Sequence, residues 1–267
     1  MKTFISDVLK PYLDSEDLFS QIDALQGEVY RKVERRRTIK TIIGGQNYFA
    51  KIHFGVGWQE IIKNLLQARL PVLGARNEWL AIKKLEAADV PTMKAAAFVE
   101  YGWNPAAQYS AIVTHALENT ISLEDYVVES PQVKRRLIEE LATMSRRMHL
   151  AGLNHRDFYL CHFLMDIGTE SEPVLRLIDL HRAQIREVVP DRWQVKDLGG
   201  LLFSAFDKTL TRRDLFRFMR AYRGQSLRET LANDDALWRR VTVRAKRLYL
   251  QDHESMPDHI SALLNES

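Results

Sequence analysis

Residues 154–166, NHRDFYLCHFLMD, carry the reading on which the rest of the chain turns. His155-Arg156-Asp157 follows a helical pattern that ends at a glycine, so the tripeptide falls in a loop that exposes Asp157. Upstream, Ser130-Pro131 supplies a cap and a first-turn proline, and Val133, Leu137, Leu141, Met144 and Met148 then line one helical face up to Gly152. Downstream, Phe163-Leu164-Met165 and Leu175-Arg176-Leu177-Ile178 read as two short strands joined by a turn. Beyond Pro190 the pattern is helical throughout, with Thr211-Arg212-Arg213-Asp214 as a capping-box-like start.

The first half reads differently. After a short helical lead-in, EVYRKV and RRTIKTII precede the turn dipeptide Gly44-Gly45, and QNYFAKIH returns as a third strand. Pro71 and Gly74 split the following stretch into two helices, the second carrying Trp79, Ile82 and Leu85 on one face and stopping before Pro91. SAIVTHALE, residues 110–118, reads as a strand running into a connector. Strands first and helices later predict an α+β chain: a small β-rich lobe over 1–115 hinged to a helical lobe over 116–267.

A length of 267 residues suits two such lobes, and the single cysteine, Cys161, excludes an internal disulfide framework. No apolar run reaches the roughly 18–20 residues of a membrane span, and MKTFISDVLKPYLDSEDLF has no apolar signal core, so a cytoplasmic protein is expected. Net charge is only +3, yet it gathers in knots such as Arg35-Arg36-Arg37, Lys134-Arg135-Arg136 and Arg212-Arg213. Two readings of these stay open: solvated helix faces, or contact with an anionic substrate, an anionic leaflet or an acidic partner. Nucleic acid is not an expected partner.

Phosphoryl transfer asks a protein for a cation on the nucleotide phosphates, a carboxylate that holds magnesium and a carboxylate near the attacking hydroxyl. Lys51 in a strand, Asp157 in the loop and Asp179 at the end of a short strand supply these in the order of a protein kinase, implying ATP and Mg2+. Glu78, early in the second helix, is a candidate ion-pair partner for Lys51, and Glu60 competes for that place. His155 and Arg156 are expected to shape the loop rather than touch substrate.

From about Leu25 to Tyr222 the chain resembles the lipopolysaccharide core heptose (I) kinases, members of the protein-kinase-like superfamily. The stretches that carry the resemblance are LQGEVYR, YFAKIH, LPVLGARNEW, NHRDFYLCHF, IDLHRAQ and KDLGGLLFSA. It implies a bilobal kinase-like fold with an interlobe nucleotide cleft. It also implies ATP-dependent phosphorylation of the first inner-core heptose, peripheral to the cytoplasmic face of the inner membrane. Within that pattern Asp157 is the catalytic base, Lys51 the phosphate-binding lysine and Asp179 the magnesium ligand. Asp197 is the helix aspartate that holds the loop backbone.

His162 stands where a kinase loop normally carries a metal-binding asparagine, and the resemblance includes it. It could donate to a phosphate or to Asp157 or Asp179, serve as a weak second metal ligand, or pack neutral beneath the loop. No glycine-rich loop precedes the Lys51 strand; Arg31, Lys32, Arg35, Arg36 and Arg37 occupy that hairpin, either over phosphates or in solvent. Ile61, Ile62, Leu65, Leu66 and Leu70, interleaved with Lys63 and Arg69, suit core packing, a membrane surface, or an acidic helical partner such as an acyl carrier protein. The alternative functions are a protein-tyrosine or other small-molecule kinase on the same scaffold, and a pseudokinase-like docking module.

Overall fold

Alternation along QNYFAKIHF puts Tyr48, Ala50 and Ile52 on the buried face of strand β4 (Gln46–Phe54) and Lys51 on the opposite face. The computed structural model describes residues 2–33, 35–55, 57–66, 74–167 and 174–264. In it β4 pairs antiparallel with β3 (Arg36–Ile43) and β6 (Tyr109–His115). With β1 (Lys2–Ile5), β2 (Glu28–Val33) and β5 (Ala95–Tyr101), these form one antiparallel sheet in the order β1-β5-β6-β4-β3-β2. Gly44 and Gly45 both have positive φ, the geometry that a tight two-residue hairpin demands.

Two of these strands carry no strand signal in the sequence. β5 is buried from Ala95 through Glu100, so AAAFVEY shows no alternation, and its three alanines look helical on propensity. β1 is only four residues long and depends on β5 for its pairing, in a segment whose pattern resembles a helical lead-in. The helix of that lead-in is α1 (Leu18–Asp23).

The chain divides into two compact units. The first comprises Met1–Lys83, Thr92–Glu118 and Asp179–Arg182, and the second Lys84–Pro91, Asn119–Ile178 and Ala183–Ser267. The expected pair of helices is present as α2 (Gly57–Leu66) and α3 (Arg76–Ala87). α3 is held at its start by the Ser110 hydroxyl, which accepts from the Ala75 N–H at 2.9 Å, and by Trp79 stacked on Phe98. On α2, Ile61 is buried while Trp58, Ile62 and Leu66 are exposed, so only part of its apolar stripe serves the core. Arg69 and Leu70, and the side chains of Glu60 and Leu65, lie outside the described residues.

In the second unit Ser130 caps α4 (Pro131–Leu150) by accepting from the Val133 N–H, and Leu137, Leu141, Met144 and Met148 are buried as expected. β7 (Thr120–Ser122), β9 (Phe163–Asp166) and β10 (Leu175–Leu177) make a small antiparallel sheet, and β8 (Leu153–Asn154) pairs with β11 (Gln184–Ile185). α5 (Asp191–Ser204), α6 (Arg212–Arg223), α7 (Leu227–Asp252) and α8 (Asp258–Leu264) follow. Thr211 and Asp214 form a full capping box on α6. Leu198, Tyr222, Trp238 and Val241 anchor the core shared by α5, α6 and α7. Among the described residues no helix is long and apolar enough to cross a membrane.

Candidate active site

Within the first unit, three of the sequence-predicted residues meet. Lys51 Nζ donates to Glu78 Oε1 at 2.7 Å and lies 3.7 Å from Asp179 Oδ1. The Glu78 side chain is 1% exposed, so its charge depends on Lys51 for compensation. Burial by itself would lower the Lys51 pKa, but the charges of Glu78 and Asp179 outweigh it and hold the ammonium above its ordinary value. Lys51 is therefore a fixed cation at neutral pH. Asp179 has φ +60, a left-handed backbone that a non-glycine residue adopts only when its surroundings hold it.

The second unit contains the loop. Asp197, fully buried on α5, accepts the His155 N–H on Oδ2 at 2.7 Å and the Arg156 N–H on Oδ1 at 2.9 Å. Those bonds fix a turn in which Arg156 is itself left-handed, with φ +78. His155 is buried, and its Nε2 donates to the Ile178 carbonyl at 2.9 Å, immediately before Asp179 in the chain. Asp157, half-buried, follows in this loop, and Phe158 anchors it in the core against Phe163.

One face of α5 does more than its aspartate announces. Residues 197, 200 and 204 recur at helical spacing and all three meet the loop. A Cβ on Gly200 would lie 3.1 Å from the Phe158 carbonyl oxygen, so glycine permits the close approach. Ser204 Oγ accepts the Leu160 N–H at 2.9 Å. Sequence reasoning singled out Asp197 and missed Gly200 and Ser204, although KDLGGLLFSA carries all three on one helical stripe.

His162 Nδ1 donates to the Asp157 backbone carbonyl at 2.7 Å, closing the loop on itself, and its ring stacks on His155. Among the described residues no group of three or more His, Cys, Asp or Glu is placed to cage a metal. That donor set still fits Mg2+, which keeps several waters and needs only one or two carboxylates beside nucleotide oxygens; Asp179 offers such a hard oxygen. A cavity of about 150 Å³ in the second unit, lined mostly by apolar residues such as Leu137, Leu201 and Leu215, includes neither Asp157 nor His162. In the basic hairpin Arg31, Lys32 and Arg35 are exposed, whereas Arg37 pairs with Asp23 at 2.7 Å and is structural.

An antiparallel sheet with a central lysine paired to a helix glutamate, and a helical unit with a looped aspartate, define a kinase-like protein. A solved structure described as WaaP in complex with acyl carrier protein superposes with a TM-score of 0.80 at 42% identity, covering 93% of this chain and 100% of that one. The lipopolysaccharide core heptose(I) kinase WaaP of Pseudomonas aeruginosa is 47% identical over 261 residues, 93% of this chain and 96% of the relative. The protein of the same name from Escherichia coli K12 is 49% identical over 242 residues, 87% and 91% of the two chains. The chain belongs to the lipopolysaccharide kinase (Kdo/WaaP) family, whose pattern matches residues 20–222.

His53, two residues beyond Lys51, supplies a pH signature. Burial, then Arg36, Lys51 and His181, push its pKa from 6.5 down to about 3. Between those values the unfolded chain binds a proton that the folded chain refuses, so stability falls as pH falls from about 6.5 towards about 3. Replacing His53 with leucine is expected to flatten the acid limb of a denaturation-midpoint profile over that window. Parallel profiles for the two proteins would contradict the assignment.

Proposed function

We propose that the protein is an ATP-dependent kinase that phosphorylates the first heptose of the lipopolysaccharide inner core. The observation that carries this is the Lys51–Glu78–Asp179 cluster in a chain of this family. In this reading Lys51 takes the nucleotide phosphates, its ammonium held in place by Glu78. Asp157 orients the attacking sugar hydroxyl and accepts its proton. His155, Arg156 and Asp197 keep the loop in shape around it. Asp179 would hold Mg2+, which when bound neutralises charge on the phosphates. His162 shapes the loop through its Nδ1–H on the Asp157 carbonyl, and we favour that role over metal ligation because Mg2+ prefers hard oxygen ligands to imidazole nitrogen.

Such an acceptor is lipid-anchored, and we place the enzyme peripherally at the cytoplasmic face of the inner membrane. The exposed Trp58, Ile62 and Leu66 of α2, beside exposed Lys63, support that placement. The decisive assay follows labelled γ-phosphate into heptose-containing core that lacks phosphate. Mg2+-dependent labelling is expected, falling by about a hundredfold or more in Asp157→Ala. Preferential labelling of peptides or free sugars, or no labelling of core, would contradict the reading.

An acyl carrier protein is the protein partner we propose, supported by the solved relative bound to one. In a groove at the starts of α4 and α6, Lys134 and Arg217 are paired with Asp214, and the exposed Arg135 and Arg213 are the charges offered to an acidic helical protein. Co-elution with purified acyl carrier protein is expected in size-exclusion chromatography, and its loss in Arg135→Glu/Arg213→Glu. Separate elution of the parent protein would contradict the partnership.

A further inference from the structure

The turn after β10 reads Asp179-Leu180-His181-Arg182, and its last three residues form a single 3-10 turn. That turn has to hold Asp179 in a left-handed backbone while keeping its carboxylate in one orientation. Two side chains from this unit bear on the problem. His181 Nδ1 lies 2.6 Å from Asp179 Oδ1, and because an ionised carboxylate only accepts, the imidazole donates. Asn77 Nδ2 donates to the backbone carbonyl of His181 at 2.8 Å.

Asn77 sits on α3 directly before Glu78, the residue that holds Lys51. The contacts close into a ring: Lys51 to Glu78, along α3 to Asn77, across to His181, on to Asp179, and back to Lys51 at 3.7 Å. We propose that His181 is a positioning residue for Asp179 and that Asn77 ties it to α3, so that the lysine pair and the metal carboxylate are set together. The inference rests on the kinase reading, in which Asp179 receives Mg2+.

The physical logic is that of an outer hydrogen bond orienting a metal ligand. Without a donor at position 181 the Asp179 side chain regains rotameric freedom, and metal binding has to bear the cost of ordering it. An asparagine at 181 can place an amide nitrogen where the imidazole Nδ1 stands, so the idea distinguishes a lost hydrogen bond from a lost ring.

The test is Mn2+ affinity in the presence of a non-hydrolysable ATP analogue, followed by electron paramagnetic resonance, with melting curves recorded alongside. His181→Ala is expected to weaken Mn2+ binding about tenfold or more, while His181→Asn stays within about threefold of the parent. Asn77→Ala is expected to weaken it about threefold. Parent-like affinity in His181→Ala, or equal losses in His181→Asn and His181→Ala, would overturn the positioning role. Unchanged affinity in Asn77→Ala would overturn the tie to α3. If His181→Ala does not fold, His181→Phe, which keeps a ring and removes the donor, takes its place under the same criteria. A parent protein that binds no Mn2+–nucleotide would instead sink the kinase reading, and this inference with it.

Discussion

A carboxylate with no exposure to solvent, Asp197, is the constraint on which the second unit's loop depends. An isolated buried charge costs several kcal/mol, so it persists only where strong donors surround it. Here the donors are two consecutive backbone N–H groups, His155 and Arg156, with His149 Nε2 a further 3.3 Å contact. His149 in turn meets Tyr222 through Nδ1 at 2.8 Å, and the Tyr222 hydroxyl donates to Gln194. The loop's left-handed residue, and with it the direction in which Asp157 leaves the chain, follows from a helix placed by the packing of α5 on α7.

The first unit solves a different problem by related means. Its lysine cation and the Asp179 carboxylate come from elements far apart in sequence and lie 3.7 Å apart, with Lys51 bonded to Glu78 and Asp179 to His181. A buried ion pair of this kind contributes little net stability, because desolvation offsets most of the attraction. Its value is orientational. Lys51, on the central strand, can swing only as far as Glu78 permits, and Glu78 is set by α3, which Trp79 and the Ser110 cap lock to the sheet.

Much of this was legible in the sequence where the determinants are local. The β2–β3–β4 hairpins, the Ser130 cap and the Thr211 capping box each announce themselves within a few residues, and each forms as read. β5 was not legible, because a strand buried on both faces loses the alternation that identifies it. At the site, Lys51, Asp157, Asp179 and Asp197 stood out through their order and their motifs. Asn77 and His181 did not, since they are 104 residues apart and their contact exists only after folding. Ser204 meets Leu160 across 44 residues for the same reason. The choice between Glu78 and Glu60 for Lys51 was also non-local, and Glu78 makes the bond.

The most direct test of the central constraint is amide hydrogen exchange at His155 and Arg156, resolved by NMR, in the parent protein and in Asp197→Ala. The Asp197 carboxylate is predicted to make both amides slow, so removing it should speed their exchange by about tenfold or more, the size expected for losing a charge-assisted hydrogen bond. The amides of α4 and α7 should keep their protection, which separates a released loop from an unfolded unit. Unchanged exchange at His155 and Arg156 would mean that the loop is held by something other than the buried carboxylate, and the account would fail at its base.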